Sequence, residues 1–256
     1  MKQIFKGRRE DARLVTGQGR YSADWNFPRQ LHAAFLRSDR AHAEIVSLNV
    51  KPALESRGVV AVYTGKDMAE AGFKSAPSMV KFPGRGGMMI KVPNRGVLAQ
   101  HRVCFVGQEV GMVVAETAGA AHDALEAIEV EYRDLPVLVD ETEATAAGAP
   151  PLHADVPGNV CFDYEYGDEA KTQEAFARAA HVTRLTVDCT RLVGVPMEPK
   201  ACVATYDPAA DRYDLYSPTQ GMSMTVAGSW GGSGVYADRV IGLPPAVWGG
   251  DGHTSP

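Results

Sequence analysis

Three consecutive stretches, Val110-Gly-Met-Val-Val-Ala115, Thr117-Ala-Gly-Ala-Ala-His-Asp-Ala-Leu-Glu-Ala-Ile128 and Glu129-Val-Glu-Tyr132, decide how this chain folds. The first is an apolar run with β-branched residues, of the length of a buried strand. Thr117 then offers a hydroxyl to the first free N–H groups of a helix. Ala121, Leu125 and Ile128 recur at four- and three-residue intervals, which puts one apolar stripe on one helix face. From Ile128 the period changes to two, so Ile128, Val130 and Tyr132 face one side of a strand and Glu129 and Glu131 the other. Leu135-Pro136 breaks the run before Val137-Leu-Val139. Residues 103–140 therefore read as strand, turn, strand, helix, strand: a helix packed on a sheet, with Gly107 and Gly111 permitting close backbone approach.

Working outward, 256 residues leave room for one large domain or two of ordinary size. An apolar content of 45% with 22% charged residues is that of a globular protein. A net charge of -5 gives no whole-chain reason to expect nucleic-acid binding. Lys81, Arg85, Lys91, Arg95 and Arg102 form a local basic stretch, read as a solvated loop in preference to an anion site. The charged start, Met1-Lys-Gln-Ile-Phe-Lys-Gly-Arg-Arg, lacks the apolar core of a secretory signal. No apolar run approaches the about 18 residues of a membrane helix, so a cytoplasmic protein without a membrane span is expected. Cys104, Cys161, Cys189 and Cys202 form no C-x-x-C pair, signal neither zinc nor an iron–sulfur cluster, and read as small buried residues.

Residues 8–24 are polar and glycine-punctuated. Gly17-Gln-Gly19 lacks the third glycine and preceding strand of a phosphate loop, so a turn is expected. Strands are expected at 31–37, from Ile45 to Val50 and at 59–63, with short helices at 51–57 and 65–71. Residues 73–98 hold three prolines and no sustained period, the mark of a long irregular loop. The Ala-, Pro- and Gly-rich stretch 142–157 reads as a linker, which places a domain boundary near 150. Beyond it, strands are expected at 160–166 and 181–191 around a helix at 168–180, followed by a hairpin of 201–206 and 212–216. Residues 228–252 hold eight glycines and no strand or helix period, so residues 226–256 read as an atypical tail unable to cover those strands.

No G-x-S-x-G elbow, H-E-x-x-H pair or P-loop is present. His42-Ala-Glu44 has the H-x-E form of a zinc deaminase, but no P-C-x-x-C follows. Two short stretches stand out. Pro196-Met-Glu-Pro199 fixes the backbone on both sides of Glu198, and presents either a carboxylate beside a pocket or a solvent-facing turn, with spacing alone favouring the turn. Thr219-Gln220 ends a strand and precedes Gly221, where an amide can donate or accept a hydrogen bond beyond the sheet edge.

Several motifs follow one another in order along the chain: Gly17-Gln-Gly-Arg-Tyr21 with Asp24, Leu31-His-Ala-Ala-Phe-Leu-Arg-Ser38 with Ala41-His-Ala43, Gly58-Val-Val-Ala-Val62 with Thr64-Gly65, and Val106-Gly-Gln108 through Ala115-Glu116. Glu129-Val-Glu-Tyr132 with Leu135-Pro136, Ala179-Ala-His-Val182, Pro196-Met-Glu-Pro199 and Thr219-Gln220 continue them. Together, over residues 7–224, they resemble the amino-terminal part of the molybdenum-binding subunit in the xanthine dehydrogenase and aldehyde oxidase family, most of all the large subunit of carbon monoxide dehydrogenase-type enzymes. This resemblance implies an α+β chain: an α/β hammerhead domain with an N-terminal arm over 1–150, then the incomplete start of a molybdopterin-binding domain over 151–225.

By the same resemblance, a molybdenum centre held by a pyranopterin dithiolene, in its cytosine dinucleotide form, hydroxylates a small-molecule substrate with oxygen from water. The resemblance implies that electrons pass to 2Fe-2S and FAD centres on partner subunits, and the scattered cysteines put the iron–sulfur centres on other polypeptides. Gln220 takes the place of the amide that approaches the metal's oxo ligand, and Glu198 is the weaker candidate. The family's Gly-Phe-Gly motif does not follow Gln220, its general-base glutamate falls beyond residue 256, and Lys200 stands where arginine is common. A truncated or frame-shifted chain that is inactive alone and retains no cofactor is therefore expected. The alternative is a non-catalytic hammerhead module that docks partner subunits.

Overall fold

The computed structural model describes residues 11–75, 78, 80–190, 192–195, 197–218 and 240–243. In chain order the elements are α1 (Asp11–Val15), β1 (His32–Arg37), β2 (Ala43–Asn49), α2 (Lys51–Leu54), β3 (Val59–Thr64), α3 (Gly65–Glu70), β4 (Arg102–Val103), β5 (Glu109–Ala115), α4 (Ala118–Leu125) and β6 (Glu129–Asp134). After them come α5 (Glu141–Thr145), α6 (Glu169–Arg178), β7 (Val203–Asp207), β8 (Arg212–Tyr216) and β9 (Val240–Leu243). The chain divides into two compact units, one of Met1–Ala76, Arg95–Val137 and Gly194–Pro256, the other of Pro77–Asn94 and Leu138–Val193.

In the first unit the run at 109–115 is the central strand of an antiparallel sheet ordered β1-β5-β3, with Val113 opposite Ala34 on one side and Val62 on the other. Thr117 caps α4 as expected, its hydroxyl oxygen accepting from the Ala120 N–H at 3.1 Å. Ala121 and Ala124 bury the helix against Ala34, Val113 and Ala115, joined by Ala53 and Ile128. Small residues at this contact let helix and sheet approach closely.

β6 does not extend that sheet. It pairs with β2 in a second sheet ordered β4-β2-β6, over a small core of Ala43, Ala99, Val103 and Val110. The two strands flanking α4 therefore belong to different sheets. The period-two reading holds: Val130 and Tyr132 turn inward and Glu129 and Glu131 outward, and burial pushes the Tyr132 hydroxyl pKa upward.

The glycines act differently from expectation. Gly107 adopts φ +89° with open space around it, so it serves a left-handed turn, and a Cβ on Gly111 would make only ordinary contact. Gly65 is the close approach in this unit, since a Cβ there would lie 2.5 Å from the Ala99 carbonyl oxygen. The Gln108 side chain locks the turn before β5 by accepting from the Cys104 N–H at 2.7 Å, while its carbonyl accepts from the Ser38 N–H at 2.8 Å.

β7 and β8 form the expected hairpin, in register from Val203↔Tyr216 to Asp207↔Arg212. The tail, expected to hold no strand, contributes β9 parallel to β8. A strand of four residues beside a formed edge needs no long period of its own.

The second unit holds α5, α6 and loops, with no strand among its described residues. Residues 84–91 run beside 161–163, with Arg85 N–H donating to Asp163 O at 2.8 Å and Lys91 N–H to Cys161 O at 2.9 Å. Phe82, Phe162 and Tyr164 cluster with ring centroids 5.4 to 6.0 Å apart. The stretch read as a linker is ordered locally: Asp140 caps α5 through its Oδ1, and Asn159 donates to the carbonyls of Ala144 and Pro150. Residues 160–166 and 181–191 are not strands among the described residues. Their alternation is real, but a strand needs a partner for its backbone groups, and Leu185 and Val187 stand 84% and 67% exposed. α6 forms where expected, with Asp168 accepting from Lys171 N–H at its start and Phe176 left exposed.

Candidate functional site

Glu198 lies in the first unit and is buried, only 2% exposed, which corrects the expectation of a solvent-facing turn. Its Oε1 accepts from the Ser22 backbone N–H at 3.1 Å and from the Ser22 hydroxyl at 3.4 Å. A carboxylate taken out of water needs donors of this kind. Ser22 opens a 3-10 turn, Ser22–Asp24, held by Tyr21 N–H donating to Asp24 Oδ2 at 2.9 Å. Next to it, Trp25 and Phe27 pack on Tyr216, the last residue of β8, with centroids 5.0 and 5.2 Å away.

Thr219 and Gln220 lie outside the described residues. Among the described residues no group of three or more His, Cys, Asp or Glu side chains could hold a metal, and no helix is long and apolar enough to cross a membrane.

The remaining candidates resolve into structural contacts. His42 is buried, with Nδ1 2.7 Å from the Pro136 carbonyl oxygen. Because a carbonyl only accepts, Nδ1 is the protonated nitrogen. The three arginines of the basic stretch have acidic partners: Arg85 faces Asp163 and Glu165, Arg95 reaches Glu109 and lies over Phe105, and Arg102 reaches Glu44. Of the cysteines, expected to be buried, Cys104 and Cys161 are half-buried and Cys189 and Cys202 exposed. Burial holds the Cys104 thiol above its ordinary pKa, the direction opposite to that of a reactive thiolate.

Sequence reasoning missed Ser22, which it left inside the polar stretch 8–24, and Trp25 and Phe27, which lie just past that stretch and drew no reading. No local spacing could have found them, because their partners Glu198 and Tyr216 lie far along the chain.

Comparison with known proteins fits this layout. Residues 16–136 match the aldehyde oxidase and xanthine dehydrogenase a/b hammerhead domain, and residues 152–252 match the molybdopterin cofactor-binding domain. The second match runs past Met224, where the motif resemblance stops, into the Gly-rich tail. The nicotine 6-hydroxylase large subunit of Paenarthrobacter nicotinovorans is 36% identical over 83% of this chain and 25% of its own length. The carbon monoxide dehydrogenase large chain of Hydrogenophaga pseudoflava is 31% identical over 96% of this chain and 31% of its own length. Among solved structures, quinoline 2-oxidoreductase from Pseudomonas putida 86 superposes with a TM-score of 0.83 at 33% identity, over 95% of this chain and 30% of that one. The chain thus spans between a quarter and a third of the length of these relatives. It belongs to the aldehyde oxidase and xanthine dehydrogenase family of molybdenum hydroxylases, and covers the hammerhead domain and the start of the molybdopterin-binding domain.

Proposed function

We propose that this chain is the amino-terminal part of the large subunit of a molybdenum-cofactor oxidoreductase that hydroxylates or oxidises an aldehyde, an N-heterocycle or carbon monoxide. The observation that carries the reading is the order of the two domain matches, hammerhead over 16–136 and cofactor-binding over 152–252. The match over 152–252 weighs against a docking module without a cofactor. Residues 1–150 form the hammerhead with its arm, and 151–225 begin the cofactor-binding domain.

When bound, molybdopterin in its cytosine dinucleotide form would supply oxygen transfer from water and redox chemistry, with 2Fe-2S and FAD centres on partner subunits in the cytoplasm as the electron acceptors. Gln220 would offer a neutral amide N–H toward the metal site, a donor that leaves the net charge of the site unaltered. Glu198, spent on Ser22, orders the chain nearby and takes the lesser part. One such hydrogen bond contributes only about 0.5–1.5 kcal/mol, too little to retain the cofactor on these 256 residues alone.

Elemental analysis tests the proposal. The 256-residue chain should carry no molybdenum, whereas a subunit completed to the length of its relatives and expressed with partner subunits should carry it stoichiometrically. A completed, folded subunit without molybdenum contradicts the reading.

A further inference from the structure

Residues 182–190, Val-Thr-Arg-Leu-Thr-Val-Asp-Cys-Thr, lie within the second unit and alternate as a strand does, yet no backbone hydrogen bond joins them to another described residue. Leu185 and Val187 stand 84% and 67% exposed, and Arg184, Thr186 and Asp188 are exposed as well. On the preceding helix the charges are matched, Lys171 with Asp168 and Arg178 with Glu174, but among the described residues neither Arg184 nor Asp188 has an ion-pair partner. A stretch with free backbone groups on both edges and apolar side chains in water is a template for one more strand.

The sequence says which strand fits. Laid antiparallel against itself about Thr186, the segment sets Arg184 opposite Asp188 and Leu185 opposite Val187, each pair occurring twice, with Thr186 opposite Thr186 at the centre. Further out, Thr183 meets Cys189 and Val182 meets Thr190. Opposite charges, apolar pairs and paired threonines are the cross-strand combinations that stabilise a ladder. Other registers lose this match. Centring on Val187 leaves both charges opposite threonines, centring on Asp188 sets two aspartates face to face, and a slip of one residue puts apolar side chains opposite polar ones. We propose that residues 182–190 are a docking strand for a second copy of this chain, the two copies pairing antiparallel about Thr186 in a twofold contact.

Sedimentation equilibrium of the 256-residue chain in reducing buffer tests this. The contact is short, which places it at the weak end of protein interfaces, so the series should reach about 1 mM. The mass should rise with concentration from 27.4 kDa toward twice that value. Arg184→Asp and Asp188→Arg each turn both ion pairs into like-charge pairs and should weaken association about tenfold or more. Because both side chains are exposed, neither change disturbs the fold. The double variant Arg184→Asp with Asp188→Arg restores opposite charges in the same register and should dimerise as wild type does. An equal mixture of the two single variants should form a heterodimer.

A chain that stays monomeric up to about 1 mM overturns the proposal. So does a dimer that both single variants leave intact, which would place the contact elsewhere, and so does a double variant that fails to restore association. Protection of 182–190 from hydrogen exchange in a monomeric subunit completed to the length of its relatives would make the rest of that subunit the partner, and overturns it too. The molybdenum reading can fail without touching these results, because the readout is mass alone.

Discussion

Gly84 sits against Asp163 with no room for a side chain: a Cβ there would lie 2.0 Å from the Asp163 carbonyl oxygen and 2.9 Å from the Phe162 ring. The obstacle is backbone, which cannot swing aside as a flexible side chain can. Gly84→Ala should push 84–91 off 161–163 and break the hydrogen bond from Arg85 N–H to Asp163 O. A loss of about 1–3 kcal/mol is expected, the usual size for overpacking, together with faster exchange at the Arg85 and Lys91 amides. A variant as stable as wild type, with both amides still protected, would refute this packing.

Glu198 and Ser22 predict an ordered pair of effects. Glu198→Gln keeps a carbonyl oxygen able to accept from Ser22 and loses only the charge, so it should cost about 0.5–1.5 kcal/mol. Glu198→Ala leaves a buried N–H and hydroxyl unpaired and should cost about 1–3 kcal/mol. Urea midpoints at neutral pH read the difference. Equal midpoints for the two variants would mean that the carboxylate is not the partner of Ser22.

Asp67 gives a pH dependence. Its Oδ2 accepts from the Thr64 hydroxyl at 2.6 Å and the Thr64 N–H at 2.7 Å, and these bonds, the hydroxyl first, hold its carboxyl below the ordinary value. A carboxyl whose pKa is lower folded than unfolded stabilises the fold above its unfolded value, about 3.9. That contribution is lost as pH falls through the lower folded value. Asp67→Asn should therefore be less stable than wild type at pH 7, and the gap should close as pH falls below the ordinary carboxylate range. A gap independent of pH would assign the effect to packing.

The boundary near 150 is tested by residues 1–149 expressed alone. The sheets β1-β5-β3 and β4-β2-β6 and their cores lie wholly within that span, so it should unfold in one cooperative transition. Its arm, deprived of Glu198 and Tyr216, should exchange freely. Non-cooperative melting with exposed apolar surface would place the boundary elsewhere.

Much of this was legible where the signal is local. Thr117, the Ala121 stripe and the alternation of Val130 and Tyr132 predicted α4 and β6, because caps and periods act over a few residues. What failed depended on distant partners. The alternation of 181–191 suggests a strand that finds no partner among the described residues, and α5 hides in a stretch whose Ala, Pro and Gly read as linker. The small size of Gly65 and Gly84 is explained only by the backbone of Ala99 and Asp163 facing them. Glu198 was singled out between two prolines with a solvent-facing turn favoured, and its burial follows instead from Ser22, 176 positions away. The identity of Gln220 as a candidate came from motif order alone.

The central claim, that the segment following Tyr216 serves a molybdenum centre, is tested most directly by Gln220→Ala in a subunit completed from a relative. Turnover and molybdenum content should be measured on the same preparation. Loss of one preorganised donor should lower kcat by about a hundred- to a thousand-fold with molybdenum content unchanged. Gln220→Glu should be at least as harmful, since a carboxylate repels an anionic oxo group. Full turnover of Gln220→Ala with intact molybdenum would contradict the account.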